Sequence, residues 1–259
     1  MNLLIEIGFL VILIGAITTF YWAINARIYR IVASKGAILA SPILAPGVVF
    51  HELAHFFSAL ILFRKILSVR LYSFDHSSGE LGHVSYAHRG RSALTYIYDA
   101  IIGLAPIFGG VAAIYFTTDA LMNRALFEYA VSETNLIIMT TSPHEKEFWV
   151  GNWNIYLAVI NNLNTSWQSI LWVVLLVSTS HGLIPSYTDI KLSLPGIIII
   201  LAIGSTLLIL APAIITPYAI SVIYVLERFL TLLVTLILPI MMGYILIKIL
   251  SITTNMIAK

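Results

Sequence analysis

Apolar runs of about bilayer-crossing length, separated by short polar stretches, dominate the pattern of this chain. A helix needs roughly 20 mostly apolar residues to cross the hydrocarbon core. Six segments approach that length: residues 3–24, 37–63, 93–116, 155–180, 194–211 and 219–250. Pro212 and Pro217 are expected to make the end of the fifth irregular, and Pro239 to kink the sixth. The first run is preceded by no basic stretch, and the earliest basic residue is Arg27, so it reads as a retained helix and not as a cleaved signal peptide. No soluble domain separates the runs. The pattern predicts an all-α polytopic membrane protein, a single membrane-embedded domain over residues 1–259 with about six transmembrane helices.

Two polar insertions interrupt the runs, at residues 64–92 and 117–153. In the first, Val69-Arg70-Leu71-Tyr72-Ser73-Phe74 and Leu81-Gly82-His83-Val84-Ser85-Tyr86 flank the turn cluster Asp75-His76-Ser77-Ser78-Gly79. Strand, turn and strand is the natural reading, a small β-hairpin. His76, His83 and His88 fall in this region, spaced for a second metal but more commonly solvated in such loops. The second insertion is acidic and predicts a short amphipathic helix around residues 122–131. No internal repeat is visible.

Composition agrees with lipid as the main solvent. The chain has 259 residues, of which 59% are hydrophobic and 10% charged. A soluble domain carries about a quarter of its residues as charges. The mean hydropathy of +0.96 points the same way. A formal charge of +2, scattered along the chain, excludes nucleic acid as the expected partner. With no cysteine there is no disulfide framework and no thiolate metal site, so metal chemistry must use histidine, carboxylate and water. With six spans the two termini share a side. Eight basic residues fall on that side (Arg64, Lys65, Arg70, Arg89, Arg91, Lys191, Lys248, Lys259) and five on the other (Arg27, Arg30, Lys35, Arg124, Lys146). The positive-inside rule then predicts cytoplasmic termini, although the cluster at 27–35 argues the other way.

The chemistry concentrates in the second span, which reads Phe50-His51-Glu52-Leu53-Ala54-His55-Phe56-Phe57. Residues four apart share a helix face, so His51 and His55 can present ring nitrogens to one ion. Glu52 sits beside them, placed to take a proton from water. Two neutral imidazoles, one carboxylate and an open water position suit Zn2+. At this chain's His and Glu frequencies, roughly one chance match is expected in two hundred such chains. Three ionisable residues inside a membrane helix are costly and mark a functional site. A third ligand is still needed, and Asp99, His181, Asp189 and Glu227 lie inside or beside spans. Asp189 follows Gly182 and Pro185, which break the helix at the end of the fourth span. Irregular backbone at membrane depth is tolerated where it lines a cavity, and an aspartate there can reach back to a metal. Asp99 reads equally as a packing residue; Glu227 and Arg228 read as a mutual pair or as interfacial. The small residues of Gly103-Leu104-Ala105-Pro106-Ile107-Phe108-Gly109-Gly110 predict close helix packing in the third span.

An HExxH on an early apolar helix, followed much later by a helix-breaking segment with aspartate, resembles the site-2 protease family of intramembrane metalloproteases. That family's second motif runs Asn-x-x-Pro-x-x-x-Leu-Asp-Gly, and the resemblance implies that its aspartate, here Asp189, is the third zinc ligand. His181 stands eight residues earlier, where the family has Asn. Pro185 lies one place after the family's Pro, and Thr188 and Ile190 replace its Leu and Gly. His181 would then hydrogen-bond the oxyanion or the substrate backbone; alternatively it is the third ligand, with Asp189 supporting it. The resemblance also implies that the metal end of the site faces the cytoplasm.

The expected activity is zinc-dependent hydrolysis of peptide bonds in or near transmembrane segments of membrane proteins. Metal ligands would be His51, His55 and Asp189, with Glu52 as general base and His181 assisting. The expected partners are the lipid bilayer and a transmembrane protein substrate, which must unwind because helical backbone is shielded by its own hydrogen bonds. The hairpin offers an edge on which an unwound strand can pair. The competing reading is a metal carrier, a transporter or a catalytically degenerate binding subunit. A transporter would show paired broken helices or inverted repeats, and none is evident.

Overall fold

The computed structural model describes residues 3–33, 41–73, 81–87, 90, 92–122, 143 and 145–257. Among them run the helices α1 (Leu3–Ala33), α2 (Ser41–Ile61), α3 (Ala93–Leu121), α4 (Lys146–Asn162), α5 (Trp167–Leu183), α6 (Tyr187–Leu210) and α7 (Pro212–Ile257). Strands β1 (Ile66–Arg70) and β2 (His83–Tyr86) lie between α2 and α3. The chain is an all-α membrane protein with a small β-hairpin. By length and apolar composition, α1, α2, α3, α6 and α7 can each cross a membrane.

The expected span at 155–180 is two helices. Asn164 Oδ1 accepts the Ser166 N–H at 2.9 Å, and Ser166 Oγ accepts the Ser169 N–H at 3.3 Å, an N-cap that starts α5 at Trp167. With 17 residues α5 is about 26 Å long at 1.5 Å per residue, a little short of the hydrocarbon's roughly 30 Å. Helix α6 begins at Tyr187, ahead of the apolar run at 194, because a cap at Ser186 nucleates it. Helix α7 starts with Pro212 in its first turn, where a missing N–H costs nothing, and continues through Pro217 and Pro239 for 46 residues. The helix expected around 122–131 lies outside the described residues.

Two compact units emerge from the pattern of contacts. The first comprises Met1–Phe20, Phe116–Val173 and Ser205–Leu238. Its core is Leu10, Phe148, Ile223, Leu230 and Val234. Aromatics there find polar partners: the buried Trp172 Nε1–H donates to Thr118 Oγ1 at 2.9 Å, and the hydroxyl of the half-buried Tyr156 donates to the Val234 carbonyl. Glu227 and Arg228 belong to this unit, with the Arg228 guanidinium 4.7 Å from the Tyr224 ring centroid.

The second unit comprises Tyr21–Tyr115, Val174–Gly204 and Pro239–Lys259. Helices α2 and α5 meet backbone to backbone in it. A Cβ at Gly47 would collide with the Ser178 carbonyl, and one at Gly182 with the Gly47 carbonyl. Small residues permit this approach where lipid supplies no hydrophobic drive between helices. The two strands pair antiparallel, Ile66 with Tyr86, Val69 with Val84 and Arg70 with His83, with an irregularity between Ile66 and Ser68. The first strand thus starts before Val69, where the sequence pattern placed it. Beyond the chain reversal at Phe63, which has φ 54°, Arg64 is buried and pairs with Asp99 of α3 at 3.3 Å, its Nη2 also donating to the Thr95 carbonyl at 3.2 Å. Asp99 is therefore a structural partner of Arg64. Asp99→Ala leaves a buried cation without its anion and is expected to cost about 3–5 kcal/mol, read as a lowered thermal midpoint.

Candidate metal centre

His51 and His55 lie on one face of α2, as their spacing predicts, and their Nε2 atoms are 3.1 Å apart. Asp189, in the first turn of α6, brings Oδ2 to 3.3 Å from His51 Nε2 and Oδ1 to 3.3 Å from His55 Nε2. Each imidazole is oriented from behind. His51 Nδ1–H donates to the Gly182 carbonyl at 2.6 Å, and His55 Nδ1–H donates to the Ile102 carbonyl at 2.9 Å. A carbonyl only accepts, so each ring carries a proton on Nδ1 and, in its neutral form, turns a bare Nε2 lone pair inward. Two such lone pairs have no proton to share across 3.1 Å. Together with a carboxylate they form an electron-rich point that a cation satisfies.

The spacing fits a tetrahedral ion. At ligand distances of about 2.0–2.2 Å, neighbouring donors on a tetrahedron stand roughly 3.3–3.6 Å apart. His51, His55 and Asp189 could hold a metal ion, their donor atoms lying within 4.8 Å of one another. Ligating histidines commonly pass their other N–H to a carbonyl, which fixes tautomer and ring orientation.

The break between α5 and α6 builds half of this arrangement. In a continuous helix the His181 carbonyl would accept from residue 185 and the Gly182 carbonyl from residue 186. Pro185 has no N–H, so the His181 carbonyl is left to Asn25 Nδ2–H of α1, at 3.3 Å. The Ser186 N–H turns instead to Asp189 Oδ2 at 2.7 Å, and Ser186 Oγ accepts the Asp189 N–H at 3.2 Å. This reciprocal pair is a capping box. It frees the Gly182 carbonyl for His51 and places Asp189 at a helix N-terminus, where an anion is favoured. The Asp189 carbonyl in turn accepts from Ser193 Oγ at 2.7 Å, beside Gly103 of α3, where any Cβ would strike that hydroxyl.

Glu52 is buried on α2 next to His51, and Gly82 of the hairpin approaches so closely that a Cβ there would lie 2.8 Å from Glu52 Cγ. A cavity of about 540 Å³ opens onto the centre. Trp22, Asn25 and Tyr29 of α1 line one part of it, and Gly82, Val84 and Tyr86 of the hairpin another. Burial first, and then the Asp99 carboxylate, push the Tyr86 phenol up to about 12, so it stays a neutral O–H at working pH. No family model, curated protein or solved structure matches the chain.

His181 lines the same cavity but is not in the three-residue group. Its Nδ1–H donates to Asn25 Oδ1 at 2.7 Å, and its buried Nε2 faces Gly243 of α7, where a Cβ would collide with it. Held in this tautomer, His181 offers an acceptor and no donor on its free nitrogen. Of the other third-ligand candidates, Asp99 faces Arg64 and Glu227 lies in the first unit. His83 Nε2 is 3.3 Å from Ser68 Oγ across the hairpin, while His76 and His88 lie outside the described residues. Asn25 and the two orienting carbonyls carry no motif. The capping box does, as Ser186-x-x-Asp189 ahead of an apolar run.

Proposed function

We propose that this chain is a zinc-dependent intramembrane endopeptidase, akin to the site-2 proteases, that hydrolyses peptide bonds in or near transmembrane segments of membrane proteins. The observation that carries the proposal is the convergence of two bare imidazole nitrogens and one carboxylate at tetrahedral spacing, with Glu52 beside them on α2. This donor set is that of a catalytic zinc site with one position open. Bound there, zinc supplies Lewis acidity, polarising the scissile carbonyl and lowering the pKa of water from 15.7 to about 7. His51, His55 and Asp189 fix its position. Glu52 takes the proton of the attacking water and returns it to the leaving amine.

The cavity receives an unwound stretch of substrate between the α1 wall and the hairpin, with β2 as an edge on which an extended strand pairs. With α5 as a sixth crossing, the chain would sit in the cell membrane with both termini in the cytoplasm and with the metal end of the site on that side, where water reaches it. Two measurements test the reading together. Metal analysis of purified protein should find one zinc per chain in the wild type and much less in His55→Ala. Cleavage of reconstituted transmembrane substrates should accelerate when a Gly or Pro pair is placed at the matching depth, and slow when leucines strengthen that stretch. Metal bound without cleavage of either substrate series would favour the binding-subunit reading. Cuts confined to loops far from the bilayer, insensitive to helix strength, would defeat the intramembrane one.

A further inference from the structure

The two ligand histidines are oriented by carbonyls that a regular helix would have used internally. For His51 the reason is the end of α5. For His55 the acceptor is Ile102, which lies in the middle of α3, a helix that runs without a break from Ala93 to Leu121. There a carbonyl accepts from the N–H four residues on. Four residues on from Ile102 is Pro106, which has no N–H. A proline ring also crowds the carbonyl four residues back and turns it off the helix axis. Its one in-helix donor is thus absent, and the Ile102 carbonyl is held at 2.9 Å by the buried His55 ring.

We infer that Pro106 is a positioning residue for the metal centre, acting by freeing the Ile102 carbonyl to orient the His55 imidazole. The inference rests on the reading of His51, His55 and Asp189 as metal ligands. It assigns a task to a proline distinct from the close helix packing at Gly103, Gly109 and Gly110. Pro106 would leave the Nδ1 proton of His55 with a fixed acceptor and so keep Nε2 unprotonated and aimed at Asp189. Substituting any residue with an N–H returns a competitor for that carbonyl. The ring is then free to rotate or to change tautomer.

The sign of the effect separates this role from a structural one. Replacing a proline inside a helix with alanine favours the helix, so a packing role predicts an unchanged or raised thermal midpoint and unchanged metal binding. Positioning predicts instead that Pro106→Ala binds metal about 10–100-fold more weakly, the usual loss when a partner behind a ligand is removed. The experiment uses the full chain in detergent, titrated with zinc and with cobalt(II), whose visible bands report coordination geometry. Pro106→Gly restores the N–H with a smaller gain in helix propensity and should behave like Pro106→Ala. Pro195→Ala, in α6, is the control and should leave affinity and cobalt bands unchanged. Nitrogen-15 spectra of the histidine rings in metal-free protein supply a reading independent of metal. Wild-type His55 should hold the Nδ1–H tautomer, and Pro106→Ala should show a mixture. If wild type binds neither metal, the metal-centre reading fails, and the tautomer still decides the role of Pro106. An unaltered His55 tautomer in both Pro106 variants, with wild-type metal affinity where metal binds, overturns the inference.

Discussion

Glu52→Gln is expected to lose about 10²–10⁴-fold in cleavage rate while zinc remains bound. The amide matches the carboxylate in shape but has no basic lone pair at neutral pH, so it cannot take the proton of the attacking water. Glu52 is outside the three-residue ligand group, and its neighbours His51 and His55 keep their orienting carbonyls whatever stands at position 52. The substitution therefore separates proton transfer from metal holding. Glu52→Asp makes a second, graded probe. It keeps the base but withdraws it by about one bond length behind Gly82, and a misplacement of about 1 Å can cost 10²-fold. Zinc content, thermal midpoint and turnover on one transmembrane substrate should be measured side by side. Turnover of Glu52→Gln within a few-fold of wild type would remove Glu52 from the mechanism, and loss of zinc in the same variant would make it a ligand.

What could be read from the chain follows the range of the physics involved. His51, Glu52 and His55 are legible because their relation is local, one turn of one helix, and because lipid makes ionisable groups conspicuous. The hairpin is legible for a similar reason, although β1 starts before Val69. The run at 155–180 misleads because hydropathy averages over Asn164 and Ser166, whose hydrogen bonds end one helix and start the next. Asp189 joins the two histidines, as the sequence suggests, but its setting is a helix N-terminus and not only a broken segment. That setting is written in Ser186-x-x-Asp189, a signal easily passed over beside Gly182 and Pro185. The partners of His181 are long-range: Asn25 is 156 residues away, and Gly243 belongs to the last helix. No spacing rule reaches that far. The acceptors behind the ligands are backbone atoms, whose identity in the sequence is only that of the residue four places on.

Asp189→Ala and Asp189→Asn are expected to lose zinc alike and to differ in stability. Both remove the anionic donor that spans the two Nε2 atoms at 3.3 Å, and a neutral amide is a poor zinc ligand. Asn still offers an oxygen to the Ser186 N–H, so the capping box survives in part. Ala removes that half of the box while Ser186 Oγ keeps the backbone N–H of residue 189, and losing a hydrogen bond to a charged group costs about 1.5–3 kcal/mol. Ala also leaves the Ser186 N–H without the acceptor that drew it away from Gly182. That N–H can then compete for the carbonyl that orients His51, so Ala disturbs the site twice, through a ligand and through the backing of another. His181→Ala provides the contrast. The three donors of the centre remain, and zinc should stay near stoichiometric with affinity lowered only as far as the loosened end of α5 lets the Gly182 carbonyl move. Zinc per chain by elemental analysis, with thermal midpoints recorded on the same samples, reads all three variants. Stoichiometric zinc in Asp189→Ala together with its loss in His181→Ala would transfer the third ligand to His181 and reduce Asp189 to a helix cap.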